Sequence, residues 1–285
     1  MHYLLLFSSI FMETAKVVFN NMFSKGESNR NQDIFKFNWL FYIGSFAVLL
    51  CFPTEIPSLY TVLTGVLFGL ITTASQYFVL LALRCGPMGI TTFLQGSSLL
   101  IPTLFGIIFM NEQSSLLFWI SLVLLLISMA LVIETKLERI NPRWLLFSFG
   151  SFLFMGGIGI LQSVHQASDH RAELIPFLQI AFIVCALFNL FGWQIAKRKK
   201  EPDSFTFRSR TTVMAVGSGL AMGAVNVINL YLAGVMDKHI FFPIVNGGLI
   251  FLTLAAAVIF FKEKLTVKQW IGLILGIIQL AIIAL

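Results

Sequence analysis

Ser9, Glu13, Lys16 and Asn20 follow i, i+4, i+7, i+11 spacing inside the apolar run HYLLLFSSIFMETAKVVFNNMF. On a helix that spacing stacks them along one face. A carboxylate and an ammonium one turn apart offer two kinds of chemistry. Glu13 can exchange a proton or contact a polar solute, with Lys16 and Asn20 beside it; alternatively, the pair neutralises itself and fixes helix packing. A charge at the centre of a spanning helix costs roughly 2.5–3.5 kcal/mol even on lenient insertion scales, so this face cannot point at lipid.

Other apolar segments carry polar stripes of their own. Gly65, Gly69, Thr72 and Gln76 align, with Tyr77 adjacent; Thr91, Gln95, Ser98 and Pro102 form a second set. Gly159, Gln162, Ser163 and Gln166 form a third, with His165 on its edge; Gly219, Gly223, Asn226 and Asn229 form a fourth, with Tyr231 nearby, and Asn246 follows. Amides and hydroxyls in such positions orient a polar solute, or tie helices together at about 0.6 kcal/mol each. His165 falls near the end of its segment, where an interfacial hydrogen bond is expected rather than a proton relay. The pairs Gly65/Gly69 and Gly219/Gly223 allow close helix approach in the walls of a cavity, and Gly272/Gly276 suits internal packing or a dimer. Pro102, inside its segment, predicts a kink.

The elements that must position these groups follow from composition. Of 285 residues, 58% are hydrophobic and 11% charged, and the mean hydropathy is +0.89. A soluble domain carries roughly 25% charged residues, so this chain is an all-α integral membrane protein. Apolar runs of about 20 residues, each able to cross a roughly 30 Å hydrocarbon layer, recur along the whole length. They place ten spans at 3–23, 37–53, 59–83, 87–110, 115–133, 144–166, 174–196, 211–235, 240–261 and 267–285. The first has no basic leader and no small-residue cleavage site, and reads as a mature span rather than a signal peptide. Fifteen Lys and Arg fall in the odd-numbered loops and Lys268 just past the last of them, against only Arg171 and Lys238 in the even-numbered ones. The positive-inside rule puts the odd loops in the cytoplasm and both termini outside a plasma (inner) membrane. The net charge of +6 is thereby a topology signal and not a nucleic-acid footprint.

Cys51, Cys85 and Cys185 have no metal-type spacing, and no metal or other cofactor is called for. HExxH, a phosphate-cradling GxxxxGK[ST] loop and a Gly-x-Ser-x-Gly turn are all absent, so nothing marks an enzyme.

An internal repeat runs through the chain at an offset of 151 residues. Phe109, Glu112, Trp119 and Ile120 match Phe260, Glu263, Trp270 and Ile271, and Gln95–Gly96 match Asn246–Gly247. Two halves of five spans, 1–133 and 134–285, enter the membrane from opposite sides because five is odd. Inverted repeats are a common plan of secondary transporters, with the substrate site near the midplane between the halves. The charged stretch FKEKLTVKQWIG then forms the turn between the last two helices of the second half. Its Glu263 is expected to cap the next helix at that helix's positive N-terminus.

The pattern Glu-x-x-(Thr/Ser)-x-x-x-Trp-x-Gly, present as KEKLTVKQWIGLILG and, with Ser115 and Ser121, as NEQSSLLFWIS, resembles that of the drug/metabolite transporter superfamily, in its EamA-type ten-helix branch. The resemblance implies a ten-helix basket around a central cavity lined by helices one, three, four, six, eight and nine. It also implies a cargo among amino acids, metabolites, sugars and drugs. The first span is further similar to the first helix of the small multidrug resistance family, where a central Glu exchanges protons for a cationic drug. The expected partners are a small-molecule substrate, the lipid bilayer and a coupling proton, with the chain a monomer or weak homodimer. A passive channel, or a membrane-embedded enzyme or sensor, is the alternative.

Overall fold

The computed structural model describes residues 2–26, 31–109, 116–133, 141–197, 209–235 and 238–282. All regular structure among them is helical: α1 His2–Lys25, α2 Asn31–Leu49, α3 Leu59–Cys85, α4 Met88–Gly96, α5 Leu100–Phe109, α6 Leu116–Ile133, α7 Pro142–Gln166, α8 Leu174–Lys197, α9 Arg210–Val235, α10 Lys238–Phe261 and α11 Val267–Ile282. Among the described residues six stretches are long and apolar enough to cross a membrane: α1, α3, the α4–α5 rod, α7, α8 and Arg210–Asn229 of α9. Gly248–Phe261 and Val267–Gln279 are shorter apolar helices.

Local signals set the ends. Ser58 caps α3 by accepting from the Thr61 N–H at 3.2 Å, and Asn141 caps α7 by accepting from the Arg143 N–H at 3.0 Å. Pro142 occupies the first turn of α7, where its missing N–H costs nothing. Thr266 and Gln269 cap α11 reciprocally: the Gln269 N–H reaches the Thr266 hydroxyl and the Thr266 N–H reaches the Gln269 carbonyl. Pro102 interrupts the α-helix of its segment. Position 102 has no N–H for the Ser98 carbonyl, and the rod breaks just there into a 3-10 turn at Ser97–Leu99 before α5 resumes. Helix α2 begins six residues ahead of the expected 37, because the polar turn Asn31–Lys36 is itself helical, with Gln32, Asp33 and Lys36 buried. It stops at Leu49, four residues short of the expected 53, ahead of Pro53.

The body is apolar outside and polar within. Along α1, Leu4, Phe7 and Phe11 are exposed while Ser9, Lys16, Asn20 and Asn21 are buried. A soluble monomer rarely exposes contiguous apolar surface on this scale, so the arrangement is that of a membrane-embedded protein. Helices α1, α2, α9 and α10 form one group, in which α1 packs on α9 and α10, and α2 on α9. Helices α3, α4, α5, α7 and α8 form a second, in which α7 packs on α3, α4 and α5, and α3 on α8. The groups meet through α2 with α8, α4 with α10 and α1 with α3, and α6 pairs with α11.

The glycine pairs make the tight contacts. A Cβ on Gly69 would lie 2.6 Å from the Ala181 carbonyl oxygen of α8, and one on Gly223 would lie 2.6 Å from the Ser45 carbonyl oxygen of α2. Both pairs therefore face a neighbouring helix. In α11, Gly276 faces Phe93 and Ser128, so that stretch packs internally.

Candidate functional site: a polar cavity between two helix groups

A cavity of about 320 Å³ lies between the groups. The first group contributes Glu13, Lys16 and Asn20 from α1, Met222, Asn226 and Asn229 from α9, and Val245 and Leu249 from α10. Opposite them stand Thr72, Ser75 and Gln76 of α3, Thr92 and Gln95 of α4, Pro102 of α5, and Gly159, Gln162 and His165 of α7. Tyr77 and Tyr231 are not brought in. Tyr77 stacks on Phe35 with ring centroids 5.5 Å apart, and Tyr231 is 45% exposed beside the His2 ring. Helix α10 runs past Asn246, whose side chain lies outside the described residues, as does Glu112.

Glu13 and Lys16 form an ion pair along α1, and the Lys16 Nζ also lies 3.7 Å from the Met222 sulfur. The Ser9 hydroxyl bonds Asn229 at 2.5 Å, tying α1 to α9, while Asn226 donates to the Met222 carbonyl at 2.8 Å. Several lining atoms have no hydrogen-bond partner among the described residues: Glu13 Oε2, Asn20 Oδ1, Thr72 Oγ1, Gln76 Nε2, Thr92 Oγ1 and Gln95 Nε2. Buried polar groups are rarely left this way, because each costs about 1–3 kcal/mol unsatisfied. Gathered round one cavity, they supply acceptors, amide donors and hydroxyls to a polar guest, while Phe41, Val79, Ile158 and Phe177 offer apolar wall.

His165 lies one residue from the end of α7. It is fully buried, its ring stacks on Phe177 with centroids 4.3 Å apart, and Nε2 lies 3.2 Å from the Thr61 hydroxyl. Its Nδ1 has no partner among the described residues. The signal available was Thr61, one turn into α3, but nothing local shows that α3 and α7 meet there. Ser75, Thr92 and Met222 also line the cavity without having stood out in the sequence, since single small polar or sulfur groups in apolar runs are common.

The cavity reaches the surface beside Gln166, which is exposed at the end of α7. Its rim is held by Glu173, whose Oε2 accepts from the Ser58 N–H at 2.7 Å and the Ser58 hydroxyl at 2.8 Å. The other Glu173 oxygen lies 3.1 Å from His170 Nδ1. At the opposite end Val17, Val79, Leu83, Met88, Ala256 and Ala257 form a buried apolar plug. Beneath it Glu263 accepts from the Met88 N–H at 2.6 Å and the Gly89 N–H at 3.1 Å. The motif glutamate therefore caps α4 in the other group, whereas α11, the helix that follows it, is capped by Thr266.

No family model matches the chain, and no curated protein matches it. A solved structure described only as "Crystal structure of protein" shares the fold, with a TM-score of 0.61 at 14% identity, over 99% of this chain and 95% of that one. At that identity the likeness speaks for the fold alone.

Proposed function

We propose that the protein is a secondary transporter that moves a small polar or amphipathic metabolite by alternating access, of the drug/metabolite transporter kind its turn motif resembles. The observation that carries this reading is the cavity between two helix groups, lined by unpartnered polar atoms, reaching the surface at one end and plugged by apolar side chains at the other. A channel needs a polar path through both ends, and the Leu83–Ala257 plug speaks against one.

The packing supports an inverted repeat. Exchanging α1 with α7, α2 with α8, α3 with α9, α4–α5 with α10 and α6 with α11 turns most of the observed helix pairs into other observed pairs, while α1 on α3 and α2 on α3 have no counterpart of comparable extent among the described residues. Thus α1 on α9 becomes α7 on α3, α2 on α9 becomes α8 on α3, and α2–α8, α4–α10 and α6–α11 map onto themselves. The contacts of Gly69 on α8 and Gly223 on α2 exchange in the same way.

Glu13 is the residue to test, by flux of labelled amino acids, other metabolites and dyes in reconstituted vesicles. Glu13→Gln keeps volume and hydrogen bonding but leaves Lys16 without its counter-ion, and breaking one partner of a buried pair is itself costly. Glu13→Gln/Lys16→Met is therefore run beside it. Loss of transport in both folded variants is expected if Glu13 carries a proton or touches substrate. Restoration in the double variant assigns the pair to packing, and wild-type flux in the single variant removes Glu13 from the mechanism.

A further inference from the structure

We propose that Glu263 is the latch that holds the plugged end of the cavity shut, and that releasing it is a required step of opening at that end. This rests on the alternating-access reading above. Helix α4 starts at Met88 without a side-chain cap of its own, because the preceding residue is Pro87. Its first N–H groups are satisfied instead by Glu263, which projects from the turn between α10 and α11 in the opposite group. A carboxylate accepting from two N–H groups at a positive helix end makes the stronger, charge-assisted kind of hydrogen bond. The Glu263 side chain is 9% exposed, so water competes little for it.

Lys25, at the end of α1, completes the arrangement. Its Nζ lies 3.3 Å from Glu263 Oε1 and 5.6 Å from the centre of the Phe261 ring. Lys25 thus ties the carboxylate to its own helix group, while the two N–H bonds reach across to the other. The apolar plug sits directly above: Met88, whose N–H is bound, packs there with Ala256 and Ala257 of α10. The groups cannot part at this end without either pulling Met88 and Gly89 off the carboxylate or taking α4 with α10. A cap that served only its own helix would come from the residue just before that helix. This one is supplied from about 175 positions away in sequence and from the opposite wall of the cavity.

The test is hydrogen–deuterium exchange on the full chain in lipid nanodiscs, which needs neither a known substrate nor a flux assay. In Glu263→Ala, exchange is expected to rise about tenfold at residues 17–21 of α1 and 79–83 of α3, which line the plugged end but do not touch the carboxylate. Under alternating access the mouth at residues 166–174 becomes more protected at the same time. A rise at 17–21 and 79–83 with an unchanged mouth upholds the latch and defeats the alternating-access reading. A rise confined to residues 88–91 makes Glu263 a helix cap only and overturns the latch. Glu263→Gln, which keeps an acceptor and loses the charge, guards against misfolding of the alanine variant. It is expected to show a smaller rise in the same segments, and a folded Gln variant with wild-type exchange there also overturns the proposal. Lys25→Met should fall between wild type and Glu263→Ala.

Discussion

At the residue scale, Glu173 is the charged group whose surroundings most clearly change its chemistry. Hydrogen bonds from the Thr61 hydroxyl first, then from the Ser58 N–H and hydroxyl and from His170, hold its carboxyl at a pKa of about 2, against an ordinary 4.5. A carboxyl depressed on folding contributes stability that is complete above its unfolded-state pKa and is lost as pH falls through its folded one. We therefore expect the melting temperature of the wild type to drop as pH falls from 4.5 towards 2, and the drop to be shallower in Glu173→Gln. Parallel curves for the two proteins would remove Glu173 as the cause. Lys262 poses a second residue-scale test. Its φ of 54° lies in the left-handed region that glycine adopts freely, at the end of α10 where the chain turns to present Glu263. Lys262→Gly should raise stability by about 0.5–1 kcal/mol in chemical or thermal unfolding, and a loss of stability there would show that the lysine side chain itself matters.

Between elements, the glycine contacts decide how closely helices approach. The Cβ of Gly223→Ala would strike the Ser45 carbonyl oxygen, a backbone atom that cannot swing aside, so α2 and α9 must separate. We expect a cost of roughly 1–3 kcal/mol, and a similar cost for Gly69→Ala against α8. Gly157→Ala serves as the control, because its Cβ would meet only Ile71 at an ordinary 3.5 Å. Equal melting temperatures for all three variants would contradict this view of the packing. Much at this scale was legible beforehand. The helices of the described residues overlap apolar runs read from the sequence, and six stretches among them are long and apolar enough to cross a membrane, because those runs are long. What escaped were features that depend on a distant partner. The first turn of α2 read as loop because Gln32, Asp33 and Lys36 are polar, and only the folded body buries them. The glutamate at the turn was recognised as a cap, but the nearest helix in sequence was not the one it serves. Likewise the glycines were legible as small faces, though not the helices they would meet.

For the whole molecule, contacts sort the loops onto two ends. Lys25 meets Glu263, Glu263 meets Met88, and the Trp144 indole donates to Thr91 at 2.9 Å, so the chain around the first, third, fifth and ninth loops shares one end. Ser58 meets Glu173 and Gln179 donates to the Leu49 carbonyl at 3.2 Å, so even-numbered loops share the other. With the basic residues concentrated in the odd-numbered loops of the sequence, single cysteines at position 264 should be labelled only from the cytoplasm and at position 169 only from outside. The reverse pattern would invert the protein in its membrane. The placement of Glu13 and Lys16 three residues apart on one helix has an electrical consequence. Both partners ride on α1, so any tilting of that helix carries the pair as a unit of zero net charge through the membrane's field. An unpaired charge crossing the field would gain or lose about 2.3 kcal/mol per 100 mV. In the transport cycle proposed above, this pair should therefore add no voltage dependence of its own, leaving the membrane potential to act on whatever other charge moves, such as that of the cargo or a coupled proton.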